Sequence, residues 1–209
     1  MSRIALPSIL QQSTVSIGMM LVQSVVNGFG SQMLAGYSAA MRVMNICVVP
    51  MSAIGTAMSS YTAQNIGANR YDRVRRGYRT SYAILAVMAI LLCPVCELFA
   101  GWIISLFMEE NGSRAVLEVG ISCTRFLGWF YFFIGAKMST DSVLRGSGDT
   151  KVFTFANMTN LTLRVLLSVT LAPVLGIQMV WVSVPVGWIA NYLISLWGYH
   201  TGRWLHTAA

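Results

Sequence analysis

The chain has 209 residues, 56% of them apolar and only 10% charged, with a mean hydropathy of +0.63. A soluble domain carries roughly a quarter charged residues, so this composition excludes one, and the apolar residues fall in blocks of the roughly 20 that a bilayer crossing needs. The net charge of +7 would suggest nucleic acid in a soluble protein; with five arginines packed between two apolar blocks, a cytoplasmic membrane loop explains it and no nucleic-acid partner is expected.

The fold class expected is an all-α integral membrane bundle of six spans forming a single lobe over residues 1–209. Met1 and Arg3 lead into a polar-dotted segment with no cleavage site, so no secretory signal is expected. The first span runs from about 6 to 26 and ends at Asn27-Gly28-Phe29-Gly30. It carries Gln11, Gln12, Ser13, Thr14, Ser16 and Gln23, too many polar groups for a lipid-facing helix. Either it lines a water-filled path or it packs through side-chain hydrogen bonds. The second span runs from about 33 to 60, with Pro50 inside it and Arg42 read as structural.

Arg70, Arg73, Arg75, Arg76 and Arg79 form a basic loop before the third span, about 78 to 98. Phe99 to Met108 is apolar but too short to cross alone; it extends span three or lies at the interface. After Asn111-Gly112-Ser113 the fourth span runs from about 115 to 144 and is rich in aromatics. Those rings either hold a large cation or simply pack. Arg145 to Thr150 joins it to the fifth span, about 151 to 171, with Asp149 or Thr150 as cap. Ala172-Pro173 begins a short link to the sixth span, about 177 to 199, which contains Pro185. Both interior prolines are expected to mark bends.

Orientation follows from the basic residues. With a cytoplasmic N-terminus, Arg3, the five-arginine loop, Arg145, Lys151 and Arg203 lie inside, and only Arg114 lies outside, beside Glu109 and Glu110. That asymmetry predicts a plasma-membrane protein with both termini in the cytoplasm.

Ionisable groups within a membrane are costly, so each is a functional candidate. Lys137 and Asp141 are four residues apart and share a helix face. They are either a relay whose pairing changes with protonation or substrate, or a stabilising pair with Lys137 snorkelling inward. Arg125 lies nearer the outer end of the same span. Arg164 falls mid-span, where it needs water, an acid or polar neighbours such as Asn157 and Asn160. With Glu97 and Asp141 as the nearby acids, a hydrated, net-positive cavity or an anionic partner is expected. Gln11, Gln12, Lys137, Asp141, Arg164 and Arg125 are thus the candidates for a substrate or coupling path. Cys93-Pro94-Val95-Cys96 has no second pair to complete a metal site. Both histidines, His200 and His206, are C-terminal, so neither an enzyme constellation nor a cofactor is expected.

Three connections carry a further signal. Leu6-Pro7-Ser8-Ile9-Leu10-Gln11-Gln12-Ser13 opens span one. Ala63-Gln64-Asn65-Ile66-Gly67-Ala68, then Asn69-Arg70-Tyr71-Asp72-Arg73-Val74, closes span two. Val143-Leu144-Arg145-Gly146-Ser147-Gly148-Asp149-Thr150 closes span four. In this order and spacing they resemble the multidrug and toxic compound extrusion (MATE) family of transporters, over nearly the whole chain, which points to a bacterial protein. The resemblance implies a twelve-helix transporter of two lobes around a cleft, of which this chain is the C-terminal lobe. It implies export of amphipathic organic cations against protons or sodium, and it makes the last two motifs loop formers rather than ligands. The partner lobe is then a missing N-terminal half or a second copy. Sodium-coupled members carry acidic ligands on helices matching spans one and four. Here span one has no acid and the matching place, near Ile134, has Asp141 as its nearest acid, so coupling is expected to rest on the other lobe. Lys137 resembles a lysine of some bacterial members. A lipid-linked oligosaccharide flippase of the same superfamily, which would suit a basic interior, and a non-transporting half that only pairs with other membrane proteins are the alternatives.

Overall fold

The computed structural model describes residues 16–108 and 113–205. Gln11 and Gln12, with the opening of the first expected span, lie outside the described residues, as do Glu109, Glu110 and His206. Among the described residues there is no strand. In chain order the helices are α1 (Ser16–Asn27), α2 (Ser31–Gly67), α3 (Tyr71–Leu98), α4 (Ala100–Ser105), α5 (Arg114–Gly128), α6 (Tyr131–Gly146), α7 (Thr150–Leu175) and α8 (Gln178–His200). A 3-10 turn at Arg203–Leu205 follows. Helices α2, α3, α7 and α8 are each long and apolar enough to span a membrane, and α5 with α6 makes one more, broken span.

Several boundaries depart from expectation. The basic loop is mostly helix: Arg70 precedes α3, and Arg73, Arg75, Arg76 and Arg79 lie within it. Arginine is a good helix former, and the turn needs only Ala68, Asn69 and Arg70, with Asn69 in the left-handed region at φ 56°. The Gln64-Asn65-Ile66-Gly67 motif is the last turn of α2, and Leu144-Arg145-Gly146 the last turn of α6, rather than loop. Pro173 lies inside α7, which continues to Leu175 and stops at Gly176 with φ 96°. Pro50, Pro94 and Pro185 are likewise interior to continuous helices. Asp149 precedes α7 but its side chain makes no capping bond.

The fourth span is the largest correction. It is not continuous but breaks at Trp129 and Phe130, with 53° between α5 and α6. The sequence has no proline there. At the break, i→i−3 bonds from Phe130 to Leu127 and from Phe133 to Phe130 replace the α pattern. Gly128 lies against Cys96 of α3, where an added Cβ would come 3.0 Å from the cysteine's own.

Helix α6 is the centre of the lobe. It touches α2, α3, α7 and α8, and its residues from Ser139 to Leu144 are all buried. Small residues let neighbours come this close, as is usual between membrane helices. Gly146 shows the limit, since a Cβ there would stand 2.3 Å from the Ser59 carbonyl oxygen of α2. A large apolar core joins α1, α2, α3, α5, α6 and α8, including Met51, Leu85, Leu127, Tyr131 and Val184. A smaller one at the arginine-rich end gathers Met58, Val74, Val143, Leu144 and Trp204. The aromatics of the broken span pack on one another, Phe126 on Phe130 at 5.1 Å and Phe132 edge-on to Phe133 at 5.8 Å.

Candidate functional site

The helical spacing of Lys137 and Asp141 brings them together as expected: Nζ lies 3.0 Å from Oδ2. The side chains are only 13% and 8% exposed. The pair is therefore inside the bundle, and Lys137 does not snorkel to an interface. Each charge has a further partner. The lysine ammonium donates to Asn157 Oδ1 on α7 at 3.2 Å, and Ser195 on α8 donates to Asp141 Oδ1 at 2.5 Å. Ser195 also lies 3.3 Å from Asn191 Oδ1, one turn away. The Asn157 amide is oriented by its bond to the Phe153 carbonyl, 2.9 Å.

One ion pair thus ties three helices. An isolated charge in this environment would be strongly penalised, and a pair with its remaining lone pairs and protons engaged is tolerated. Asn157, Ser195 and Asn191 are the members that sequence reasoning left out or placed elsewhere. Asn157 was expected beside Arg164 and instead serves Lys137. The available signal was spacing: Asn191 and Ser195 are four apart on α8, a polar stripe in an otherwise apolar helix. The network is not fully satisfied internally, because the buried Asn191 Nδ2 has no partner.

Arg164 stands two turns along α7 from Asn157, about 10 Å by helical rise. It is buried, and no acid lies within ion-pair reach among the described residues. It lies beside the Tyr37 hydroxyl of α2, and its Nε is unpartnered. Asn160 Oδ1, one turn below, is buried and unpartnered as well. Helix α8 passes closely here. A Cβ on Gly187 would be 2.2 Å from Asn160 Oδ1 and 3.0 Å from Arg164 Cγ.

Arg125 is elsewhere. Its Nε donates to the Glu97 carbonyl oxygen at 3.1 Å and lies 3.9 Å from the Glu97 carboxylate, with both side chains close to half exposed. Trp129, at the break of the span, donates to the same carboxylate at 3.2 Å. Glu118, an acid of α5 not weighed from the sequence, is exposed and paired with Arg114 at 3.1 Å. Every acid of the described spans between Glu97 and Asp141 is therefore taken by a base. Arg164 and the exposed Arg42, which lines a polar recess with Gln32 and Ser38, are left without one among the described residues.

Comparison with known proteins agrees with this architecture. The MatE family model matches residues 7–170. The probable multidrug resistance protein YpnP of Bacillus subtilis is 26% identical over 203 residues, covering 97% of this chain and 45% of that protein. The probable multidrug resistance protein YoeA of the same organism is also 26% identical, over 208 residues, covering 97% and 43%. Among solved structures, a MOP superfamily transporter from Pyrococcus furiosus superposes with a TM-score of 0.87 at 23% identity, covering 98% of this chain and 46% of that one. The chain spans about half the length of the curated relatives it matches.

Proposed function

The chain belongs to the MatE family of membrane transporters, and on that premise we propose that it forms one lobe, the C-terminal one, of an exporter of amphipathic organic cations driven by protons or sodium. The second lobe is an N-terminal half or another copy, and the arginine-rich end faces the cytoplasm of a bacterial cell. The observation that supports a transport role for these residues is the buried Lys137–Asp141 pair, held to α7 and α8 at once through Asn157 and Ser195. A pair that bridges three helices has a different optimum geometry whenever those helices shift. Protonating Asp141 or placing a cation beside it removes the attraction that holds Lys137, so the pair is suited to report occupancy to the helix packing. Gln11 and Gln12 are assigned to the path on polarity alone, and Arg164 as a fixed positive charge beside it.

The test is export of a fluorescent cation by proteoliposomes containing the full transporter, with and without a proton gradient. Lys137→Ala is expected to cut export while membrane insertion is retained; unchanged export would remove the pair from the mechanism. One observation favours a second reading, export of an anionic lipid-linked oligosaccharide: Arg164 is buried without an acid. Gradient-independent flipping of an anionic lipid, with no cation export, selects that reading. No movement of either substrate leaves a non-transporting half.

A further inference from the structure

The arginine-rich end carries a feature that the Lys137 network does not use. Arg70, Arg73, Arg75, Arg76 and Arg79 face a single acid, Asp72, and none of the five has an ion pair within the described residues. Arg75 and Arg79 are one turn apart on α3 and so share a face. Both are exposed, and both act electrostatically on Tyr199 of α8.

Immediately below Arg79, α3 and α8 part over a groove of about 240 Å³ lined by Tyr78, Arg79, Tyr82, Ala83 and Tyr192. Its tyrosines are braced. The Tyr82 and Tyr192 hydroxyls are 3.3 Å apart, and the Tyr78 hydroxyl bonds Thr140 of α6 at 3.1 Å. Tyr199 is stacked between Tyr78, at 4.5 Å, and Trp204, at 5.4 Å. Farther along α3 the exposed side chains turn apolar: Ile84, Val87 and Leu91. Along α3 the order from helix end to bilayer centre is thus uncompensated cations, then hydroxyl-bearing rings, then hydrocarbon. That is the order of a phospholipid: charged headgroup, ester region, chains. Tyrosines belong at the headgroup level, and arginine clusters beside a span attract anionic lipid.

We propose that Arg75 and Arg79, with the tyrosine groove beneath them, seat the phosphodiester headgroup of an anionic phospholipid whose chains lie along α3. Each guanidinium offers a planar fork to phosphate oxygens, and the groove takes the glycerol and ester region. A free phosphate would use the arginines and leave the tyrosines and apolar run idle, so the occupant is a lipid of the leaflet. The inference rests on the chain lying in a membrane and is independent of what it transports.

The experiment measures lipid binding to the full purified transporter, by native mass spectrometry and by the lipid-dependent rise in melting temperature. Phosphatidylglycerol, phosphatidylcholine and inorganic phosphate are the three probes. Phosphatidylglycerol is expected to bind, phosphatidylcholine to bind far more weakly, and inorganic phosphate neither to bind nor to compete. Arg75→Gln with Arg79→Gln should weaken phosphatidylglycerol binding about 30-fold, roughly fivefold per arginine. Arg73→Gln with Arg76→Gln removes the same charge from the same helix end and should change it much less. Ala83→Trp, which fills the groove and keeps every charge, should also block binding, and it serves if the first double variant fails to accumulate. Equal losses in the two double variants, binding unaffected by Ala83→Trp, or competition by inorganic phosphate would each overturn the seat.

Discussion

Two ion pairs of the lobe, one buried and one exposed, differ in their surroundings. Lys137–Asp141 is at 3.0 Å, nearly buried, and extended by hydrogen bonds to two further helices. Arg125–Glu97 is at 3.9 Å, close to half exposed, and joins α5 to the end of α3. The first pair is nearly closed to solvent, so each member depends on the other. The second has solvent or headgroups as an alternative partner at all times. Burial therefore decides which of the two pairs depends on its partner.

The largest expected effect is on the buried pair. Lys137→Ala leaves the Asp141 carboxylate with only the Ser195 hydroxyl, and breaking a buried pair from one side costs about 3–5 kcal/mol. The midpoint of denaturant unfolding in detergent measures it. The double variant Lys137→Met with Asp141→Leu removes both charges and is expected to recover most of that stability, because an apolar replacement of a buried pair is often neutral. Export should stay low in the double variant even though the fold is restored. A double variant that is stable and exports normally would reduce the pair to packing and erase the contrast between the two sites.

A smaller effect is expected one step out. Ser195→Ala deletes the hydroxyl that donates to Asp141 while leaving Lys137 in place. A hydrogen bond to a charged group is worth roughly 1.5–3 kcal/mol, and the loss should fall in that range, below Lys137→Ala. A loss under about 0.5 kcal/mol, within the usual range for surface substitutions, would mean that α8 is not part of the network.

How much of this was legible beforehand divides along the same physical line. Local patterns were readable: Gly30 and Gly148 marked turns whose backbone indeed has positive φ, and i,i+4 spacing paired Lys137 with Asp141. Whatever depended on a neighbouring helix was not readable. Asn157 was matched to Arg164 along its own helix, but it turns across to α6. Tyr37 was not suspected of facing Arg164, because 127 residues separate them in the chain. The break at Trp129 lacked the proline that would have announced it. Gly128 touches α3 beside the break, a contact that no window of one span contains. The helical state of the arginine run was a misjudged propensity: charge was read as loop, although arginine favours helix.

The smallest effect belongs to the exposed pair, and it carries the sharpest comparison. Arg125→Gln should cost no more than about 1 kcal/mol, as exposed pairs do. The cost should shrink further at high salt, since charges this accessible are screened. Glutamine retains an N–H able to reach the Glu97 carbonyl, and Glu97 keeps its bond from Trp129. There is one structural ground for expecting more. Arg125, Glu97 and Trp129 converge where the span bends by 53°, so the pair also fastens α3 to the hinge between α5 and α6. Unfolding measured at low and high salt separates the two roles. A small, salt-sensitive loss identifies a solvated pair of ordinary strength. A loss that rivals Lys137→Ala and ignores salt would show that the hinge makes an exposed pair behave as a buried one. Exposure would then be the wrong measure of which charges this lobe can use.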